Sequence, residues 1–322
     1  MALQCKMGTF DNINFKPLSL LIPIFLSLYA VPSFSNFTTF VFGDSLVDAG
    51  NNDYIFTLAK ADSPPYGIDF KPSGGHPTGR FTNGRTIAEM VGQSLGAKSY
   101  PPPYLAPNTE AEAILKGINY ASGASGIMDK TGFFFIGRIP LGEQVNNFEQ
   151  NRNYMVNAMG ENGTREFLKK AVFSLTIGSN DILNNVQPSI PFLGHEKVFP
   201  TTFLDFMISN LTLQLEEMGP DAIFVFANSY DVFMDILANY RRFGFENEDE
   251  PCCGGYFPPF VCFQRGDANA TASALCDYRS KYVFWDAYHP TEDANLIIAK
   301  QLVDGDESVS FPFNIRQLYN CN

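Results

Sequence analysis

The sequence predicts an α/β fold built on a parallel sheet, and three observations support this. Strand-sized apolar runs (FTTFVF at 37–42, AVFSLTI at 171–177 and AIFVFA at 222–227) recur along the chain. Helical patterns alternate with them, which favours strands joined by crossover helices. The second and third runs are almost uninterrupted, as suits strands buried on both faces.

The elements follow in order. Residues 37–42 form a first strand that ends at Gly43-Asp44-Ser45. A short strand is expected over 119–122, and the second long strand over 171–177. From 202 to 218 the chain carries Phe203, Phe206, Met207, Leu211, Leu215 and Met218 at helical spacing, and Gly219-Pro220 ends that helix. The third strand, 222–227, follows at once. A last helix is expected over 291–303, with Thr291 as its cap, Glu292 and Asp293 at its positive end, and Leu296, Ile297 and Leu302 facing inward. No internal repeat or linker divides the chain.

Composition narrows the functional classes. With 14% aromatic and only 17% charged residues, the chain is not of the disordered type. A net charge of -12, from 34 acidic and 22 basic residues, argues against a nucleic-acid surface. At the N-terminus, Lys6 and Lys16 precede an apolar run over 18–31, and Ser33 and Ser35 stand at the minus-three and minus-one positions of a signal-peptidase site. Residues 1–35 are therefore expected to be a signal peptide, leaving 36–322 as one secreted domain. The apolar run is interrupted by Pro23 and falls short of the roughly 20 residues needed to span a bilayer, so no stable membrane insertion is expected.

Secretion governs the reading of cysteines and asparagines. Cys252, Cys253, Cys262 and Cys276 cluster in a stretch rich in Gly and Pro, where an oxidising compartment favours disulfides. Adjacent Cys252 and Cys253 are expected to pair outward with Cys262 and Cys276, in an order the sequence leaves open, with Cys321 left over. Zinc is disfavoured because no two of these cysteines have C-x-x-C spacing and no His lies among them. Asn36, Asn162, Asn210 and Asn269 each open an N-x-Ser/Thr sequon.

Only three histidines occur. His76 lies in a glycine-rich loop and His195 in a surface-like connection, where solvated side chains are the ordinary outcome. His289 differs, because Asp286 stands three residues before it in Trp285-Asp286-Ala287-Tyr288-His289-Pro290. A carboxylate beside an imidazole fixes its tautomer and stabilises the imidazolium, which is the support a general base needs; a local Asx-turn ahead of the last helix is the structural alternative. Ser45 is the matching nucleophile. It directly follows a buried strand, and the carboxyl ends of parallel strands are where α/β folds bind ligands. A hydroxyl there can be activated by a base, and its own amide can help to hold an oxyanion. The G-x-S-x-G elbow of the α/β-hydrolases is absent from the sequence.

Four separated blocks resemble the GDSL esterase/lipase family, also called SGNH hydrolases, and specifically its plant secreted branch. They are VFGDSLVDAGNN at 41–52, GINYASGASGI at 117–127, IGSND at 177–181 and VFWDAYHPTEDAN at 283–295. GRFTNGR at 79–85, CCG at 252–254 and FNIRQL at 313–318 also resemble that branch. The resemblance implies a three-layer, flavodoxin-like fold, with a parallel sheet flanked by helices. It implies Ser45, His289 and Asp286 as the catalytic triad, with the amides of Ser45 and Gly123 and the side chain of Asn180 as the oxyanion hole. It implies no metal and no organic cofactor, and a small-molecule or lipid ester as substrate; it says nothing of oligomeric state.

The chain departs from the family pattern in one place. Plant members resembling it carry a further strand, a cysteine-containing loop and a helix where Met218 here runs almost directly into Pro220 and the strand at Ala222. The sheet is therefore expected to be one strand short. Two other functions go with these residues: acyl transfer on the same fold, and a non-catalytic secreted glycoprotein descended from such an enzyme.

Overall fold

The computed structural model describes residues 37–107, 109–186, 200–218, 224–254, 262 and 275–320. Its strands are β1 (Thr39–Gly43), β2 (Val172–Thr176), β3 (Phe226–Ala227), β4 (Asn247–Pro251), β5 (Tyr282–Phe284) and β6 (Ser310–Phe311). Its α-helices are α1 (Ile87–Ser94), α2 (Leu141–Leu168), α3 (Ser179–Val186), α4 (Pro200–Met218), α5 (Ser229–Ala238), α6 (Glu292–Asp304) and α7 (Ile315–Asn320).

The centre is β1, all five of whose residues are buried. It pairs in parallel with β2, in a register running from Thr39 opposite Val172 to Gly43 opposite Thr176. Its other edge is taken by 118–122, which bonds to it in parallel through an isolated bridge at Asn119 rather than as the strand expected there. Val41 N donates to Ile118 O at 2.9 Å, Tyr120 N to Val41 O at 2.7 Å and Ser122 N to Gly43 O at 3.0 Å. With parallel neighbours on both sides and helices over both faces, β1 has no solvated side, and a strand so placed must be apolar throughout.

The two faces of β1 bury different partners. Phe40 and Phe42 join Tyr120 and the α2 residues Leu141, Phe148 and Met155 in one cluster. The Phe40 and Phe148 rings meet edge to face at 5.3 Å, and Phe42 stacks on Tyr120 at 5.0 Å, both favourable aromatic geometries. On the opposite face Val41 packs with Val47, Ala121 and Ala88 of α1. A further cluster joins α1 to α6 through Ile87, Met90, Val91 and Leu95 against Ala294, Ile298, Ala299, Leu302 and Val303.

Two strand expectations are corrected. The run at 222–227 does not extend the parallel sheet: its described part forms the two-residue β3, which pairs antiparallel with β6. Phe224 and Phe226 are exposed at 52% and 68% rather than buried. Nor is β2 buried on both faces, since Phe173 is 37% exposed and 174–176 are half-buried. The cause is common to both. Among the described residues nothing pairs with the far edge of β2, and without an intervening strand the 222–227 run meets the C-terminal strand instead.

The helices hold more closely to expectation. In α4, Met207 is buried, but Phe206, expected to face inward, is exposed. Thr291 caps α6, its hydroxyl accepting from Ala294 N. Disulfides join Cys252 to Cys276 and Cys253 to Cys262, which settles the order of pairing. Asn162 and Asn210 lie within α2 and α4. His76 is exposed. Residues 1–35, Asn36, His195, Asn269 and Cys321 lie outside the described residues. Among those described, no helix is long and apolar enough to cross a membrane.

Candidate active site

Ser45 is presented by a tight turn at the carboxyl end of β1. Gly43 has a φ of 144°, and a Cβ there would stand 2.0 Å from Thr176 O, so only glycine lets the chain leave the sheet at this point. Its peptide is clamped by Gln144 of α2. Gly43 N donates to Gln144 Oε1 at 2.9 Å, and Gln144 Nε2 donates to Gly43 O at 2.9 Å. Asp44 then closes the turn: its Oδ1 accepts from Leu46 N at 3.0 Å, and its carbonyl accepts from Asp48 N at 3.0 Å.

The loop after β5 supplies the other two side chains. Asp286 Oδ1 accepts from Tyr288 N and His289 N, both at 2.9 Å, while Trp285 N donates to His289 O at 2.7 Å. This is the Asx-turn that the sequence offered as an alternative, and it coexists with the expected pairing of Asp286 with His289. His289 Nδ1 lies 2.8 Å from both carboxylate oxygens of Asp286, and His289 Nε2 lies 2.8 Å from Ser45 Oγ. A carboxylate only accepts, so Nδ1 carries the proton and Nε2 is left to accept from the Ser45 hydroxyl. Asp286 is fully buried and His289 is 6% exposed, whereas Ser45 is half-buried and reachable.

The segment at 79–85 braces this loop. Thr82 Oγ1 donates to Pro290 O at 3.0 Å, Glu292 N donates to Asn83 Oδ1 at 2.8 Å, and the Phe81 ring lies 5.2 Å from the His289 ring. Phe81 also touches Gly123. A Cβ on Gly123 would stand 2.7 Å from the tip of the Phe81 ring and 2.7 Å from Asn52 Nδ2, so that position admits no side chain. Phe81 thus spans from the imidazole to the glycine expected in the oxyanion hole.

Both of the remaining expected oxyanion donors make internal hydrogen bonds. Gly123 N donates to Asp48 Oδ2 at 3.0 Å. Asn180, in the first turn of α3, donates through Nδ2 to Ser125 O at 2.9 Å, and Ser125 Oγ donates in turn to Gly43 O at 2.8 Å. The next residue fixes that turn: Asp181 accepts from Ile127 N, Met128 N and Thr131 Oγ1 at 2.9, 2.9 and 2.6 Å.

Burial dominates the electrostatics. It pushes the Asp44 carboxyl up to about 7, against the Leu46 amide and the nearby His289, and Asp44 Oδ2 has no hydrogen-bond partner among the described residues. Asp48 is likewise pushed up to about 7 by burial, even though the amides of Gly50, Gly123 and Asn51 all donate to it.

Sequence patterns did not single out Tyr66, Phe81, Asp48, Asn52 or Gln144. Asp48 and Asn52 sit inside the 41–52 block, and Phe81 inside GRFTNGR, so proximity to a recognised block was the available signal. Tyr66 and Gln144 carry no local signature.

A serine, an imidazole and a buried carboxylate joined by 2.8 Å contacts beside the end of a parallel strand are the constellation of a serine hydrolase. The chain belongs to the GDSL-like lipase/acylhydrolase family, whose model matches residues 39–228. GDSL esterase/lipase At5g41890 of Arabidopsis thaliana is 52% identical to it over 345 residues, covering 88% of this chain and 93% of that protein. At3g50400, a GDSL esterase/lipase of the same plant, is 41% identical over 349 residues, covering 87% of this chain and 90% of its own. GDSL esterase/lipase LTL1, again from Arabidopsis thaliana, is 33% identical over 366 residues, covering 94% and 97%. The family implies an α/β hydrolase-like fold and a hydrolase acting on esters. Since 88% of this chain is about 283 residues, the 345 aligned positions leave roughly 60 that At5g41890 fills and this chain does not.

Proposed function

We propose that the protein is a secreted carboxylic-ester hydrolase acting through an acyl-enzyme on Ser45. The contact between Ser45 Oγ and His289 Nε2, backed by Asp286, is the single observation that supports this best. In this reading residues 1–35 are removed and 36–322 make one hydrolase domain with helices on both sides of its sheet. Asn36, Asn162, Asn210 and Asn269 are its sites for glycans, and its substrate is a small-molecule or lipid ester.

Ser45 Oγ attacks the ester carbonyl carbon while His289 Nε2 takes the hydroxyl proton, and Asp286 stabilises the imidazolium that forms. The carbonyl oxygen becomes an oxyanion facing the Ser45 amide and the Asn180 side chain. Asn180 Nδ2 has two hydrogens and gives only one to Ser125 O, so the second remains for the oxyanion. Gly123 N has one hydrogen, which must leave Asp48 for this amide to serve. His289 then protonates the departing alcohol, the acyl group stays on Ser45, and water activated by the same imidazole releases the acid.

A fluorophosphonate probe followed by peptide mapping tests this. Labelling at Ser45, turnover of a short-chain chromogenic ester, and loss of both in Ser45→Ala are the expected results. Undiminished turnover in Ser45→Ala would sink the assignment. No labelling of a protein that still melts cooperatively would favour a non-catalytic glycoprotein.

A further inference from the structure

We propose that Tyr66 is a positioning residue of the triad, holding the Asp286 carboxylate from the side its own turn does not reach; this rests on the ester-hydrolase reading above. Asp286 is fully buried, so both oxygens need donors from the protein. Its Oδ1 has the amides of Tyr288 and His289. Among the described residues, its Oδ2 has the Tyr66 hydroxyl, donating at 2.7 Å, and otherwise only the His289 Nδ1 proton that Oδ1 shares. Without Tyr66, one oxygen of a dry carboxylate has no donor of its own among the described residues.

The phenol is placed for this task from three directions. Tyr66 is 1% exposed, and its ring meets Trp285 at 6.2 Å and Phe81 at 6.1 Å in edge-to-face contacts. Trp285 precedes Asp286 in the chain, and Phe81 lies against His289, so the ring wedges between the neighbours of both partners. The Tyr66 oxygen accepts from Cys262 N at 3.2 Å, which leaves its single proton to Asp286. That amide is held by the Cys253–Cys262 disulfide, and Cys253 N donates to Trp285 O at 2.7 Å. Burial, and then the charge of Asp286, push the Tyr66 hydroxyl well above its ordinary pKa, so it stays a donor wherever the triad works.

The hydroxyl spreads the carboxylate charge over a second proton and fixes the plane in which Asp286 meets the imidazole. Removing it frees the carboxylate to turn out of the plane of the imidazole, which slows proton transfer from Ser45, and leaves it more basic, so the base gives up its proton only at higher pH.

Tyr66→Phe keeps the ring and deletes the donor. We expect kcat on a short-chain ester to fall between about 10- and 100-fold, the fold-change of one hydrogen bond to a charged group. KM should change less than about twofold, since the phenol touches no substrate, and the acidic limb of the kcat/KM profile should move to higher pH. A wild-type kcat and an unmoved limb would overturn the proposal. So would a rate loss that only matches the folded fraction lost, read from the melting curve, with the limb unmoved, because that pattern assigns Tyr66 to packing. Failure of the hydrolase reading looks different, for the unmodified protein would then neither turn over the ester nor label at Ser45.

Discussion

The backbone amide of Gly123 donates to the Asp48 carboxylate at 3.0 Å, across 75 residues of chain. Asp48 thereby ties the turn carrying Ser45 to the loop carrying Gly123, while also accepting from Gly50 N at 2.7 Å and Asn51 N at 2.8 Å. The same contact occupies an amide that the family resemblance assigns to the oxyanion.

Asp48→Asn tests the structural half of that contact. The amide oxygen can still accept from Gly50 and Asn51, but its NH₂ then faces the Gly123 N–H, donor against donor. A loss of about 1–3 kcal/mol is expected, the cost of a buried polar group left without a partner. Chemical denaturation measures it, and an unchanged midpoint would show that Gly123 N does not depend on Asp48.

Stability should fall as pH rises from about 4 to about 7. Burial raises Asp44 and Asp48 from 3.8 to about 7 in the folded protein. Between these values the folded state holds protons that the unfolded state has released, so raising the pH favours unfolding until both groups are ionised in both states. Asp69, lowered in the folded protein although burial acts the other way, because Arg279 and Asn83 hydrogen-bond to it, contributes in the opposite sense and only in more acid solution. Melting curves at pH 5 and pH 8 decide the matter, with the higher midpoint expected at pH 5.

Arg80 and Glu89 form a buried ion pair, the two side chains being 8% and 2% exposed. Arg80 Nε donates to Glu89 Oε1 at 2.9 Å, and Glu89 Oε2 also accepts from Thr86 N at 2.9 Å to complete the capping box of α1. Glu89→Ala should cost about 3–5 kcal/mol, because it strands a buried guanidinium. Denaturant titration reads this directly; a cost below 1 kcal/mol would mean that Arg80 finds water or another partner.

Phe224 and Phe226 should be replaceable at little cost. They are exposed at 52% and 68%. Their substitution by Asp is expected to change stability by less than about 0.5 kcal/mol, as at other surface positions, and to reduce binding of a hydrophobic dye. A loss of several kcal/mol would place them in a packed interface.

Much of this arrangement is legible in the sequence. The turn after β1 announces itself as a buried strand followed at once by Gly43, Asp44 and Ser45, and with only three histidines to choose from, the Asp286-x-x-His289 spacing points to the expected base. The 19 residues of α4 and the cap at Thr291 follow from local periodicity and capping chemistry. By contrast, α2 is not assigned from the sequence although Leu141, Val145, Phe148 and Met155 keep helical spacing, because its several asparagines and glycines are poor helix formers and Gly160 interrupts the helix at a φ of 76°. The 222–227 run misleads for another reason. Its apolar pattern specifies a strand but not its neighbour, and pairing depends on which edge is within reach.

By itself the sequence singled out Ser45, Asp286 and His289 as candidates, because short motifs and their flanking turns record local geometry, and its resemblance to the family added Gly123 and Asn180. Only the tertiary structure decided that Tyr66 reaches Asp286 across 220 residues, that Asp48 holds Gly123, and that β3 pairs with β6. Those contacts arise where loops distant in the chain are brought together by a packed core, and no periodicity in either partner encodes the meeting.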